Sequence, residues 1–129
     1  MTPRQLLWDS IHARKPLTVG AIADSGAFKV TSPECDVVEL RLDSLGTDDE
    51  LIAFARTCPL PLLITARGPQ EGGQNTWSIS ERAEAYRKLM PYASAIDIEL
   101  RDFQSLDDVL AEATDHKIVV VGSFHNFET

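Results

Sequence analysis

The sequence predicts an α/β fold: part of a (β/α)8 barrel, with about five parallel strands and intervening helices. Three observations predict it. First, short apolar runs alternate with segments that carry helix-capping signals, the pattern of a parallel sheet covered by helices. Second, the runs finish in polar groups: Glu39 with Arg41, Thr65 with Arg67, Asp97 with Glu99, Ser123 with His125, and the plainer Ala23-Asp24. Residues two apart on a strand share a face, so each pair points one way, as a barrel needs at the C-terminal rim of its sheet. Third, no G-x-G-x-x-G or phosphate-loop pattern follows the first strand, which removes the best evidence for the rival architecture, an open doubly wound sheet.

The elements follow in order. Residues 2–14 read as a helix, with Thr2 as N-cap, Pro3 at the first helical position, Gln5 completing a capping box, an apolar stripe of Leu6, Leu7 and Ile11, and Pro16 as its stop. A first strand covers Leu17 to Ala23. Residues 24–35, with Ser25, Gly26, Ser32 and Pro33, read as a loop or a single helical turn. The second strand runs from Asp36 to Asp43, and Thr47-Asp48-Asp49-Glu50 is a capping box that opens a helix, Leu51 to Thr57. Pro59 and Pro61 bracket its end, and strand three is Leu62 to Ala66. A polar loop with three glycines follows, from Arg67 to Thr76. Ser78-Ile79-Ser80-Glu81 caps a helix running to about Met90. Strand four is Ala95 to Leu100; Ser105 starts a helix over Leu106 to Ala113; strand five is Lys117 to Phe124.

Bulk properties bound the function. A chain of 129 residues suffices for a single domain with a real core, and 43% hydrophobic with 25% charged residues is ordinary for a soluble protein. A net charge of −8 argues against nucleic acid as a partner. It does not exclude an anionic small molecule, because a few local arginines outweigh the global field at short range. No apolar run approaches the roughly 20 residues of a membrane span, and Met1 to Gln5 begins no secretory signal. A cytoplasmic chain is expected. Its two cysteines, Cys35 and Cys58, lack CxxC spacing and a histidine at metal spacing, so they read as reduced, partly buried thiols rather than a redox pair.

The strand ends carry the chemistry. Glu39 and Arg41 suit a hydroxyl and a carboxylate of a ligand, or form a buried ion pair. Arg67 opens the glycine-rich loop that carries Glu71; that loop is a lid or an ordinary exposed loop. Asp97 and Glu99 read as buried partners for His125 or Arg67 rather than metal ligands, since no histidine clusters with them in sequence. His125 stands where a general acid/base works near neutral pH. His12 and His116 read as surface residues, and Trp8 and Trp77 as packing residues.

Taken together, Val38-Glu39-Leu40-Arg41-Leu42-Asp43, Ile64-Thr65-Ala66-Arg67 with Glu71-Gly72-Gly73, Ile96-Asp97-Ile98-Glu99-Leu100 and Val120-Val121-Gly122-Ser123-Phe124-His125-Asn126-Phe127 resemble type I 3-dehydroquinate dehydratase over residues 17–129. The resemblance implies a TIM barrel and a lyase of the shikimate pathway, and so of aromatic amino acid biosynthesis. It implies a Schiff base between a lysine and the ketone of 3-dehydroquinate, with no cofactor and no metal. His125 would be the catalytic acid/base and Glu71 its neighbour in the closing loop. Glu39, Arg41 and Arg67 would bind substrate, with Asp97 and Glu99 in support. The family's imine lysine lies on the strand after the histidine strand. Lys15, Lys29, Lys88 and Lys117 do not match it; only Lys29, after strand one, lies on the correct side. The expectation is therefore the N-terminal half to two-thirds of a barrel, 1–129 as one domain. It would pair with a missing C-terminal half or form a homodimer; the alternative is a catalytically inactive half-barrel scaffold.

Overall fold

In the computed structural model, which describes residues 1–24 and 35–125, five strands pair side by side in chain order, every neighbour parallel. They are β1 (Val19–Ile22), β2 (Val37–Arg41), β3 (Leu62–Thr65), β4 (Ala95–Glu99) and β5 (Val119–Ser123). Consecutive order decides between the two architectures. Right-handed crossovers that always step the same way put every connecting helix on one face, whereas a doubly wound sheet reverses its order at a switch point. The sheet is wound as a barrel is.

The helices are α1 (Pro3–His12), the short α2 (Leu42–Leu45), α3 (Asp49–Thr57), α4 (Ile79–Leu89) and α5 (Asp107–Asp115). Strand parity divides the apolar residues. Val38 and Leu40, Ile64, and Ile96 and Ile98 face the helices, where they bury Leu51, Tyr86, Leu89 and Val109 in the main core. The opposite face, a barrel's interior, starts with Val37, Leu63 and Ala95, and Leu7 of α1 joins them in a smaller cluster. α1 is thus a plug at the N-terminal end of the strands. Arg4 fastens it, donating from Nε to the Ala93 carbonyl at 3.0 Å and from Nη2 to the Met90 carbonyl at 3.2 Å.

Several local expectations are corrected. In α1, Thr2 caps the Gln5 N–H at 3.1 Å, but the Gln5 side chain turns to Asp9 instead of completing the box. Leu6 and Ile11 are exposed, and the buried positions are Leu7 and Ser10, because the plug presents only a narrow stripe. Trp8 stacks on the His12 ring, with centroids 4.7 Å apart. Asp48, not Thr47, caps α3, accepting from the Leu51 N–H at 3.0 Å; a carboxylate one residue later is the better acceptor for that helix. The Ser78–Glu81 box of α4 is made in both directions. Ser105 caps nothing; α5 begins after Leu106 without a side-chain cap. Trp77 packs on the core, His12 and His116 are exposed, and Cys35 and Cys58 are half-buried free thiols against the main core. The segment between β1 and β2, with Ser25, Gly26, Lys29, Ser32 and Pro33, lies outside the described residues.

The glycine-rich loop is packed down. Pro69–Glu71 form a 3-10 turn, Gly72 is left-handed at φ 90°, and the Gly73 N–H returns to the Gly68 carbonyl at 2.9 Å. A Cβ on Gly73 would stand 2.2 Å from the Arg67 carbonyl oxygen, so the close approach needs glycine.

Candidate active site

The polar strand ends gather at the C-terminal end of the sheet. Register puts Arg41, Thr65 and Asp97 in one row, and Glu99 beside Ser123 in the next. An open cleft of ≈ 470 Å³ lies against this rim, lined by Ala23, Arg41, Asp43, Ser44 and Gln74.

Glu39 and Arg41 share a face but are not an ion pair. Glu39 accepts from Thr65 Oγ1 at 2.7 Å. Arg41 grips Asp43 through both arms of its fork, at 3.0 and 2.8 Å. The cause is local: β2 ends at Arg41, and the helical turn of α2 folds Asp43 back under the guanidinium. Asp43 also accepts the Arg67 N–H at 3.2 Å and the Gln74 N–H at 3.1 Å, so one carboxylate ties β2 to both ends of the glycine-rich loop. Burial alone would push its carboxyl up. Hydrogen bonds from Arg41 and from the Gln74 and Arg67 N–H groups outweigh that and hold it below the usual carboxylate range. A depressed folded value gives stability that is present above the ordinary carboxylate value of about 3.9 and lost as pH falls through the folded one. Asp43→Asn is therefore expected to cost about 2 kcal/mol at pH 7. It should also flatten the acid limb of stability, read by urea unfolding at pH 7 and pH 3; a variant with the wild-type acid limb would refute that assignment.

Arg67 is buried and its Nη1 reaches Asp97 Oδ1 at 3.0 Å and Ser123 Oγ at 2.8 Å, while Ser123 Oγ donates to Asp97 Oδ1 at 2.5 Å. Asp97 is thus the carboxylate that partners Arg67. Glu99 partners neither Arg67 nor His125. It accepts the Gly68 N–H at 3.1 Å and pairs with Arg82, which also donates to Asp102 at 2.8 Å and to the Ala66 carbonyl at 2.8 Å. Burial raises the Glu99 carboxyl even with Arg82 against it. Burial likewise raises the Tyr86 hydroxyl, to about 12; it donates to the Asp97 carbonyl at 2.6 Å.

Glu71 is neither exposed nor idle. It is 2% exposed, and the 3-10 turn delivers its carboxylate to the end of β5. Oε1 accepts the His125 N–H at 2.7 Å and lies 3.3 Å from His125 Nδ1, while Oε2 accepts from Arg101 Nε at 2.7 Å. Burial would raise this carboxyl; the His125 N–H and ring and the Arg101 guanidinium outweigh it and bring it below its ordinary value. If Nδ1–H donates to this carboxylate, Nε2 is the basic nitrogen.

Glu39, Arg41, Arg67, Glu71, Asp97, Glu99 and His125 therefore all stand at one end of the sheet, linked through Asp43, Ser123, Gly68 and Thr65. Among the described residues no group of three or more His, Cys, Asp or Glu is arranged for a metal ion, and no helix is long and apolar enough to cross a membrane. Lys15 and Lys117 precede β1 and β5, at the far end, and Lys88 is exposed on α4; Lys29 lies outside the described residues. Reading the sequence missed Asp43, Arg82 and Arg101. Two signals were there: Asp43 continues the alternation Glu39-x-Arg41-x-Asp43, and Arg82 falls on the buried stripe of α4 with Tyr86 and Leu89.

Comparison with known proteins bears on this geometry. The profile of the family described as Type I 3-dehydroquinase matches residues 23–129. The 3-dehydroquinate dehydratase of Methanocella arvoryzae is 37% identical over 97 residues, 72% of this chain and 43% of that protein. That of Thermococcus onnurineus is 33% identical over 107 residues, covering 82% and 49% respectively. The crystal structure of the 3-dehydroquinate dehydratase from Aquifex aeolicus superposes with a TM-score of 0.67 at 26% identity, over 88% of this chain and 54% of that one. The chain spans about half the length of the curated relatives it matches.

Proposed function

The chain belongs to the type I 3-dehydroquinase family, and from that premise we propose that its rim supplies the acid–base side of a site that dehydrates 3-dehydroquinate to 3-dehydroshikimate. The same reading makes it a cytoplasmic lyase of the shikimate pathway. The observation that carries it is the Glu71–His125 contact, 3.3 Å from carboxylate to Nδ1, at the same end of the sheet as Arg41 and Arg67.

In this reading an imine joins a lysine to the substrate ketone and acts as the electron sink. His125 takes the proton from the carbon next to the imine carbon through Nε2. The electron pair moves into the imine, then returns to expel the hydroxyl, which leaves as water with the proton His125 hands back. Hydrolysis of the imine then frees the product and the lysine. Glu71 keeps the imidazole oriented, and Glu39, Arg41 and Arg67 take the substrate's hydroxyls and neighbouring groups. Asp97 supports Arg67, and Glu99 fixes the loop through Gly68. The imine lysine is none of Lys15, Lys88 and Lys117, which stand away from the rim.

A second reading, an inactive half-barrel scaffold that self-associates or takes up a complementary fragment, is favoured by the sheet's two edges. Among the described residues β1 and β5 each pair on one side only, with Val19 and Val121 53% and 38% exposed.

Both readings are tested by treating the chain with 3-dehydroquinate and borohydride, alone and mixed with a polypeptide carrying the later strands of a relative. Intact mass and the enone absorbance are the readouts. Alone, no adduct is expected on any of the four lysines. In a complemented assembly, product formation is expected to fall by about 10²–10⁴-fold in His125→Ala. An adduct on one of those lysines overturns the lysine assignment. Activity untouched by His125→Ala overturns the histidine's role, and a stable assembly with no turnover selects the scaffold.

A further inference from the structure

We propose that Arg101 is a positioning residue that aims one oxygen of the Glu71 carboxylate at His125. Arg101 follows β4 in the 3-10 turn Leu100–Asp102, and its side chain is 40% exposed, so it reaches the buried carboxylate from the solvent side. Its Nε takes Oε2 at 2.7 Å, and its Nη1 takes Gln70 Oε1 at 2.5 Å. One guanidinium therefore holds two successive side chains of the glycine-rich loop. With Oε2 occupied, Oε1 is the oxygen left toward the end of β5, where the His125 N–H meets it at 2.7 Å. A carboxylate held at both oxygens does not rotate about its terminal bond, and a rotated one would offer Nδ1 no fixed acceptor.

The role is also electrostatic. Glu71 faces His125 from β5 and Arg101 from β4, and it adds its charge to that felt by Glu99. Arg82 of α4 is committed to Glu99 and Asp102, and Arg67 to Asp97 and Ser123. Neither shares Glu71. Arg101 is thus the cation that shares the Glu71 carboxylate with His125, one oxygen each.

This inference rests on the acid–base role given to His125 above, yet its test needs no substrate. Nitrogen–proton spectra of the imidazole rings, which report the tautomer of each ring, are compared in the full chain, in Arg101→Met and in Arg101→Lys. In Arg101→Met the single Nδ1–H tautomer that a fixed Glu71 oxygen holds is expected to give way to a mixture of both tautomers, because the carboxylate is then free to turn. Arg101→Lys keeps the cation and should restore most of the wild-type tautomer. His12 and His116, exposed on α1 and after α5, should not move and report an intact fold. If Arg101→Met does not fold, Arg101→Gln is read in its place with the same expectation. An unchanged His125 tautomer in a folded variant overturns the proposal. A changed tautomer in a complemented assembly that produces no 3-dehydroshikimate sinks the dehydratase reading and leaves the positioning role standing.

Discussion

Replacing Arg82 with methionine is expected to destabilise the chain by about 3–5 kcal/mol at pH 7, the cost of stranding buried charge. Arg82 is 4% exposed, and its guanidinium serves Glu99, Asp102 and the Ala66 carbonyl at once. Methionine fills the space of the stem but removes the shared cation, leaving buried Glu99 with the Gly68 N–H and no positive partner. The pH dependence has a definite sign. Glu99 already sits above its ordinary value because of burial. Without Arg82 its folded value rises further, so the native state binds a proton more readily than the unfolded chain. Stability then increases as pH falls toward the ordinary carboxylate value, and decreases as pH rises through the window up to the folded value. Urea unfolding of Arg82→Met at pH 7 and pH 5 should show partial recovery at the lower pH. A variant within 1 kcal/mol of wild type at pH 7, about the size of a surface contact, would mean that the pair is solvated.

Gly73→Ala is expected to have the next largest effect, a loss of about 2–3 kcal/mol, because overpacking against backbone has nowhere to relax. The new methyl carbon would stand 2.2 Å from the Arg67 carbonyl oxygen and 2.8 Å from the Gly68 carbonyl carbon. The loop would have to lift, and with it the Glu71 carboxylate that meets His125 and Arg101. Gly122→Ala is the matched control. Its Cβ would meet Leu100 Cδ2 at 2.8 Å and Phe103 Cζ at 3.1 Å, the ends of side chains that can turn aside. Thermal unfolding of the two variants compares them directly. Equal losses would show that the loop yields as easily as a side chain.

Much of this architecture was legible in the residues. Strand parity put Arg67, Asp97, Glu99 and Ser123 at one end of the sheet, and the reciprocal Ser78–Glu81 cap marked α4, because both depend on spacing alone. What escaped was decided by how the chain turns next. Nothing in Glu39-x-Arg41 announces that α2 begins at once and hands Arg41 to Asp43, so the partner two residues ahead displaced the one two residues behind. Arg82 reaches Glu99 from seventeen positions away, across the top of the core. A burial stripe hints that Arg82 is inside; only the packing names its partner. Thr47 was the expected cap of α3, and Asp48, one residue on, makes the hydrogen bond instead.

The Arg4 clasp has a consequence for anyone altering this scaffold. It joins α1 to the turns that lead into β4, behind the strands, while Asp43, Glu71 and His125 stand ahead of them. The plug is anchored at one pole and the Glu71–His125 contact stands at the other, so reinforcing the plug should leave that contact alone. Thermal tolerance and the geometry of the candidate site become separately adjustable traits.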